Sequence, residues 1–329
     1  MLNAAVIGLG WWGKIIIRTL EDSAKLRIVR AVDRDPKAAD WAAQRGLRAS
    51  TDLADALGDP QVNAVILCTP HTLHTAQIAQ AAAARKHVFC EKPLALRRAD
   101  VEESIRLCNA NGVVLAVGHE RRFEPPMLEL KRLAAAGELG TILQIEANFS
   151  QDKFLSLPAD NWRLSSTEAP AGPMTATGIH MLDLAVSLLG RAERAFALAR
   201  RLGSNLANGD TLGALVSFRS GANLLLSAIL ATPFDGRFAV YGNKGWAEVR
   251  DKAHPESPEG WVLTKCLGGG RPSRREYPPA AAVRANLEAF ADAAEGRAPY
   301  PVPQKDMIDT IAALEAVFRS AASGKVEAV

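Results

Sequence analysis

Cysteine is scarce. The 329 residues include four, Cys68, Cys90, Cys108 and Cys266, and no two of them stand as a Cys-x-x-Cys pair. That spacing excludes a zinc knuckle and a disulfide framework, and reduced thiols point to a cytoplasmic compartment. No apolar run approaches the roughly 18 residues of a membrane helix, and the first residues lack the basic start of a secretory signal. Charge of one sign is missing as well, since 39 Lys+Arg face 36 Asp+Glu and leave a net +3. So small an excess gives no electrostatic footprint for nucleic acid or an anionic membrane, and a small molecule is the expected partner. Gly-x-Ser-x-Gly is absent. His71, His74 and His119 have no ligand spacing, so no metal is expected.

Apolar residues make up 48% of the chain and charged residues 23%, the balance of a globular protein long enough for two domains. The first third alternates strand and helix. Ala4–Ile7, Leu26–Val32, Ala64–Cys68, His87–Cys90 and Val113–Val117 read as strands, several of them uninterrupted apolar runs suited to burial on both faces. Helical stretches lie between them, near 14–20, 36–44, 53–57, 72–85 and 100–109. This order predicts a doubly wound parallel α/β sheet over residues 1–120.

After Gly118 the texture changes. A helix is expected near 126–135, a strand over Ile142–Phe149, a polar loop over 151–173 and a helix over 174–189. Strands separated by turn signals then follow one another from Ala195 to Thr264, and helices return at 280–295 and 305–322. Residues 121–329 therefore read as an α+β domain on a largely antiparallel sheet. Its broad sheet face suits a symmetric oligomer, a homodimer or homotetramer.

Gly8, Gly10 and Gly13 form Gly-x-Gly-x-x-Gly between a strand and a helix. In this setting the first glycine permits the tight turn, the second admits a diphosphate against the backbone, and the third lets helix pack on strand. Asp33 lies 33 − 13 = 20 residues beyond the third glycine, where a ribose-binding carboxylate belongs. The carboxylate favours NAD over NADP, while Arg34 beside it is open to three roles: holding a 2′-phosphate, stacking on adenine, or plain solvation. NAD is the expected cofactor and NADP is not excluded. Trp11 and Trp12 either flank the cofactor or, for one of them, pack the helix start.

Glu91-Lys92-Pro93 follows a buried strand at the carboxyl edge of the sheet, where open α/β sheets place ligands. Proline restricts the lysine backbone to extended conformations, so the ammonium is aimed in one direction. Beside a nicotinamide it can donate to a substrate oxygen and exchange a proton. Glu91 is counted with Lys92 among the cofactor contacts. His180 sits on a helix with Asp183 one turn on, close enough for the carboxylate to orient the imidazole. Trp162, in Asp160-Asn161-Trp162-Arg163, is a candidate for covering a substrate from the long loop, and Thr177 for hydrogen-bonding one.

These segments share their order with one family. The glycine turn, Asp33, Thr69-Pro70, Glu91-Lys92-Pro93, the run Gly118 to Pro125 and Gly178-Ile179-His180-Met181-Leu182-Asp183 together resemble the Gfo/Idh/MocA family of NAD(P)-dependent oxidoreductases. The resemblance covers essentially the whole chain. It implies an N-terminal Rossmann domain, a catalytic Lys92 that also contacts substrate, and His180 as a substrate contact taking part in proton transfer. It further implies that Thr69, Pro70 and His74 lie along the nicotinamide side of the cofactor and that Arg122 lines the nucleotide or substrate cleft. The activity implied is hydride exchange with a secondary alcohol or ketone of a sugar-like or cyclic polyol substrate. One position departs from the pattern: Ala176 stands where polyol-oxidising relatives commonly carry an aspartate. That keeps two other readings open, a lyase or hydrolase using NAD for transient oxidation, and a non-catalytic nucleotide-binding regulator.

Overall fold

A computed structural model describes residues 1–329. It folds as two compact units, Met1–Glu120 with Ala282–Met307, and Arg121–Ala281 with Ile308–Val329.

The first unit is built on six parallel strands: β1 (Leu2–Ile7), β2 (Leu26–Val32), β3 (Arg48–Ser50), β4 (Ala64–Leu67), β5 (His87–Cys90) and β6 (Leu115–Val117). They lie in the order β3-β2-β1-β4-β5-β6. Every residue of β4 is buried, as a strand with helices on both faces requires. Helices α1 (Trp11–Thr19), α2 (Pro36–Ala43), α3 (Leu53–Leu57), α4 (His74–Ala83) and α5 (Arg98–Ala110) provide the crossovers. Asp35 and Asp52 cap α2 and α3 by accepting from the Lys37 and Ala54 amides.

Sequence reading put residues 282–307 in the second domain, but the fold assigns them to the first. Leu287, Phe290 and Ala291 of the helix Ala282–Ala294 are buried in one cluster with Val6, Ile16, Leu26 and Phe89. The Asn286 amide donates to the Val117 carbonyl at 3.0 Å, and the Tyr300 hydroxyl lies 2.9 Å from the same oxygen. The edge strand β6 is thereby covered rather than left open.

The second unit opens with α6 (Pro125–Ala135) and the long strand β7 (Ile142–Ser150). A five-residue π-turn, Met174–Gly178, runs directly into α7 (Ile179–Leu189). Seven more strands follow in the body of the chain: β8 (Ala192–Arg200), β9 (Thr211–Phe218), β10 (Asn223–Ile229), β11 (Asp235–Gly242), β12 (Gly245–Asp251), β13 (Trp261–Leu267) and β14 (Ser273–Tyr277). With β15 (Glu327–Ala328) they form a nine-stranded sheet in the order β14-β13-β12-β11-β7-β10-β9-β8-β15. All its pairings are antiparallel except β10 with β7. Period-two burial sets one face inward, with Leu212, Ala214, Val216 and Phe218 of β9 and Leu224, Leu226 and Ala228 of β10 in the core.

Candidate active site

The strand order of the first sheet reverses between β1 and β4, and ligands of such sheets bind outside the carboxyl ends of the strands at that reversal. The sequence motifs converge on this rim. Gly8 follows β1, Asp33 follows β2, Thr69-Pro70 follows β4, Glu91-Lys92-Pro93 follows β5, and Gly118 follows β6.

The glycine turn fits a diphosphate by its shape. Gly8 has φ +92°, and a Cβ there would meet the Cys68 carbonyl oxygen at 2.8 Å. A Cβ on Gly13 would run into the Gly8 carbonyl oxygen, so the third glycine is required by the fold itself. Gly10 is different. A Cβ at Gly10 would meet nothing within 4 Å, and this open cradle lies at the N-terminus of α1. Backbone N–H groups and the positive end of a helix are what a diphosphate needs. Asp33 is fixed beside the turn: one carboxylate oxygen accepts from the Leu9 amide at 2.5 Å and the other from the Asp35 amide at 2.9 Å. Its remaining lone pairs are available to ribose hydroxyls. Arg34 is exposed next to it.

Lys92 is half-buried, and its peptide bond to Pro93 is cis. Thr69 donates to Gln77 Oε1 at 2.5 Å, and Pro70 lies half-buried beside it. Three expected cofactor contacts turn inward instead. Glu91 is 8% exposed, and its carboxyl lies so close over Gly118 that a Cβ there would meet it at 2.5 Å. Burial first, and the Glu120 carboxylate second, push the Glu91 carboxyl up to about 7. Trp12 packs on the sheet core, whereas Trp11 remains 45% exposed at the start of α1. His74 is fully buried, with Nδ1 2.9 Å from the Pro93 carbonyl and Nε2 3.0 Å from the Thr69 carbonyl. Buried ring nitrogens seek carbonyl partners before they seek a ligand at the surface.

In the second unit every residue from Ile179 to Val186 is buried, so the polar members of α7 must be paired. Asp183 is held by Arg122, whose Nε and Nη2 each lie 2.7 Å from a carboxylate oxygen. Thr310 donates to the same carboxylate at 3.3 Å. The guanidinium fork explains why Asp183 answers to Arg122: it offers two parallel charge-assisted bonds where an imidazole offers one. Arg122 was expected to line a cleft; these donors serve a buried ion pair instead. Thr177, expected to meet substrate, is 1% exposed and donates back to the Pro173 carbonyl, as helical threonines often do. Trp162 is half-buried with the Arg163 guanidinium over its ring.

His180 is 6% exposed and contacts the Phe149 ring, with centroids 5.8 Å apart. Phe149 also touches His254 at 5.8 Å, and the Arg121 guanidinium stacks over it at 5.2 Å. His254 Nε2 lies 2.6 Å from Gln151 Oε1, and its Nδ1 lies 2.9 Å from Lys153 Nζ. Sequence reasoning missed this polar group. Its one outward sign was a histidine, among only six in the chain, in a turn-rich loop. Ala176 packs against the apolar cluster of Phe154, Leu164, Leu206 and Leu230.

A glycine turn of this shape on a 3-2-1-4-5-6 sheet, with its carboxylate at the end of β2, defines a dinucleotide-binding Rossmann domain. Residues 2–119 match the NAD-binding Rossmann-fold domain of the Gfo/Idh/MocA oxidoreductase family, and residues 127–248 match the family's C-terminal domain. The chain belongs to that family. The myo-inositol 2-dehydrogenase of Thermotoga maritima is 30% identical over 74% of this chain and 74% of its own. The 1,5-anhydro-D-fructose reductase of Ensifer adhaerens is 27% identical over 95% of this chain and 97% of its own. Among solved structures, the aldose-aldose oxidoreductase of Caulobacter crescentus superposes with a TM-score of 0.87 at 26% identity, covering 100% of this chain and 99% of that one. By family the protein is therefore an NAD(P)-dependent oxidoreductase with an NAD-binding Rossmann domain.

Proposed function

We propose that this dehydrogenase exchanges a hydride with a secondary alcohol or ketone carbon of a sugar-like or cyclic polyol substrate. Lys92 carries the reading. It stands at the carboxyl end of β5, on the rim that also bears the glycine turn and Asp33. The inositol, anhydrofructose and aldose chemistry in the relatives' names supports the substrate class.

Gly8, Gly10 and Gly13 would cradle the diphosphate, and Asp33 would accept from the adenosine ribose. When bound, the nicotinamide supplies the hydride acceptor or donor. Lys92 Nζ donates to the substrate oxygen, which stabilises charge developing there and exchanges its proton. The family resemblance gives His180, whose ring contacts Phe149, a part in proton transfer. Four free cysteines fit a cytoplasmic setting. The outer sheet face, where Leu198, Leu215 and Leu225 are 41%, 43% and 41% exposed, supports a homodimer or homotetramer.

A panel of sugars, polyols and dihydrodiols, read at the nicotinamide absorbance with NAD and NADP in turn, tests the reading. Lys92→Met should lower kcat by about a thousandfold or more with little change in cofactor affinity. Unchanged turnover would remove the role given to the lysine. A second reading draws on Ala176, which stands where polyol-oxidising relatives commonly carry an aspartate and packs against an apolar cluster. In that reading oxidation is transient, elimination or hydrolysis follows, and product accumulates without net change in absorbance.

A further inference from the structure

His74 was expected along the cofactor, yet its ring faces two backbone oxygens. Both ring nitrogens lie at hydrogen-bond distance from carbonyls, 2.9 Å to Pro93 and 3.0 Å to Thr69. A carbonyl oxygen only accepts, so each nitrogen must donate. A neutral imidazole has a single N–H, and in either tautomer one nitrogen lone pair would point at an oxygen lone pair. The ring has no exposure at all, so water cannot relieve that repulsion.

The two carbonyls are not arbitrary. Thr69 stands at the end of β4 and Pro93 directly follows Lys92 at the end of β5, so the ring ties together two neighbouring loops of the ligand rim. We propose that His74 is held as a doubly protonated imidazolium between the Thr69 and Pro93 carbonyl oxygens, and that this brace positions the segment carrying Lys92. The proposal rests on the role of Lys92 in the proposed reaction. His74 is a positioning residue: the two carbonyl dipoles stabilise its charge, and its two charge-assisted bonds fix the backbone on the nicotinamide side of the rim.

The protonation state is read on the wild-type protein without nucleotide or substrate. In ¹⁵N-histidine-labelled protein at neutral pH, both His74 nitrogens should resonate in the protonated range, with two slowly exchanging ring N–H protons. His74→Gln assigns the signals. One nitrogen in the unprotonated range overturns the imidazolium. The positioning half is read by comparing NADH with ADP-ribose, which shares the adenosine and diphosphate but lacks the nicotinamide. His74→Phe should weaken NADH about tenfold and leave ADP-ribose within about twofold, as expected for misalignment worth one hydrogen bond at the nicotinamide end. His74→Gln, which keeps one donor, should fall between. Equal losses for both ligands, or none for either, overturn the positioning role. A protein that oxidised no alcohol would sink the proposed reaction while leaving both readouts intact.

Discussion

The two units place their polar groups in opposite ways. In the first, the candidate residues sit at strand ends, where the backbone stops pairing with itself and turns outward. In the second, His180 lies on a helix buried through Val186, where polar side chains are admitted only in company. Rim residues such as Asp33 are held chiefly by hydrogen bonds to backbone groups. Residues of the buried helix are held by one another, and removing one strands its partner.

Four substitutions probe that contrast. Asp183→Ala should have the largest effect, because it leaves the Arg122 guanidinium buried without its carboxylate. A loss of about 3–5 kcal/mol in urea unfolding is expected. A much smaller loss would mean that the second unit tolerates unpaired charge as readily as the rim.

Glu91 is the rim's own exception, a carboxyl buried against Glu120. Its folded pKa, about 7, lies above that of an unfolded glutamate, so the native state binds the extra proton between the two values. The sign follows: this stabilisation is full below the unfolded value and is lost as the pH rises through about 7. Glu91→Gln should flatten that dependence and raise stability at pH 8 relative to wild type by on the order of 2 kcal/mol. Parallel stability–pH curves for the two proteins would remove Glu91 as the titrating group.

The glycine pair gives the finest test. Gly13→Ala drives a methyl into the Gly8 carbonyl and should cost about 1–3 kcal/mol along with cofactor binding. Gly10→Ala, at φ −62°, enters open space, so its unfolding temperature should match wild type or exceed it slightly. NADH affinity should nevertheless fall by about tenfold or more, since the methyl occupies the cradle. Loss of folding in Gly10→Ala, or intact NADH binding, would erase the distinction between a glycine the fold needs and one the ligand needs.

Buried parallel strands were legible because an uninterrupted apolar run as short as Ala64–Leu67, bounded by polar and turn-forming residues, suits a strand covered on both faces and little else. The edge strands β3 and β14 were missed. Their residues, Arg-Ala-Ser and Ser-Arg-Arg-Glu-Tyr, are mostly half-buried in the first and mostly exposed in the second, and carry no apolar periodic signal. The motif order pointed to the rim, but a motif does not say which way a side chain turns. Glu91, Trp12 and His74 stand where expected along the chain and face inward, each drawn by a buried partner. The π-turn before His180 was read as ordinary helix, because the register slip is set by packing and by threonine back-bonds rather than by composition.

The return of Ala282–Met307 to the first unit has a consequence for biosynthesis. A ribosome that has released residues 1–120 has made every strand of the nucleotide-binding sheet, yet Leu287, Phe290 and Ala291, which seal its apolar flank, are still to come. At about 5–20 residues per second, that flank waits on the order of ten seconds or more for its cover. The half that begins first is thus closed late, and a gene fragment ending at the apparent boundary would yield a sticky, unsealed sheet rather than a miniature binding protein.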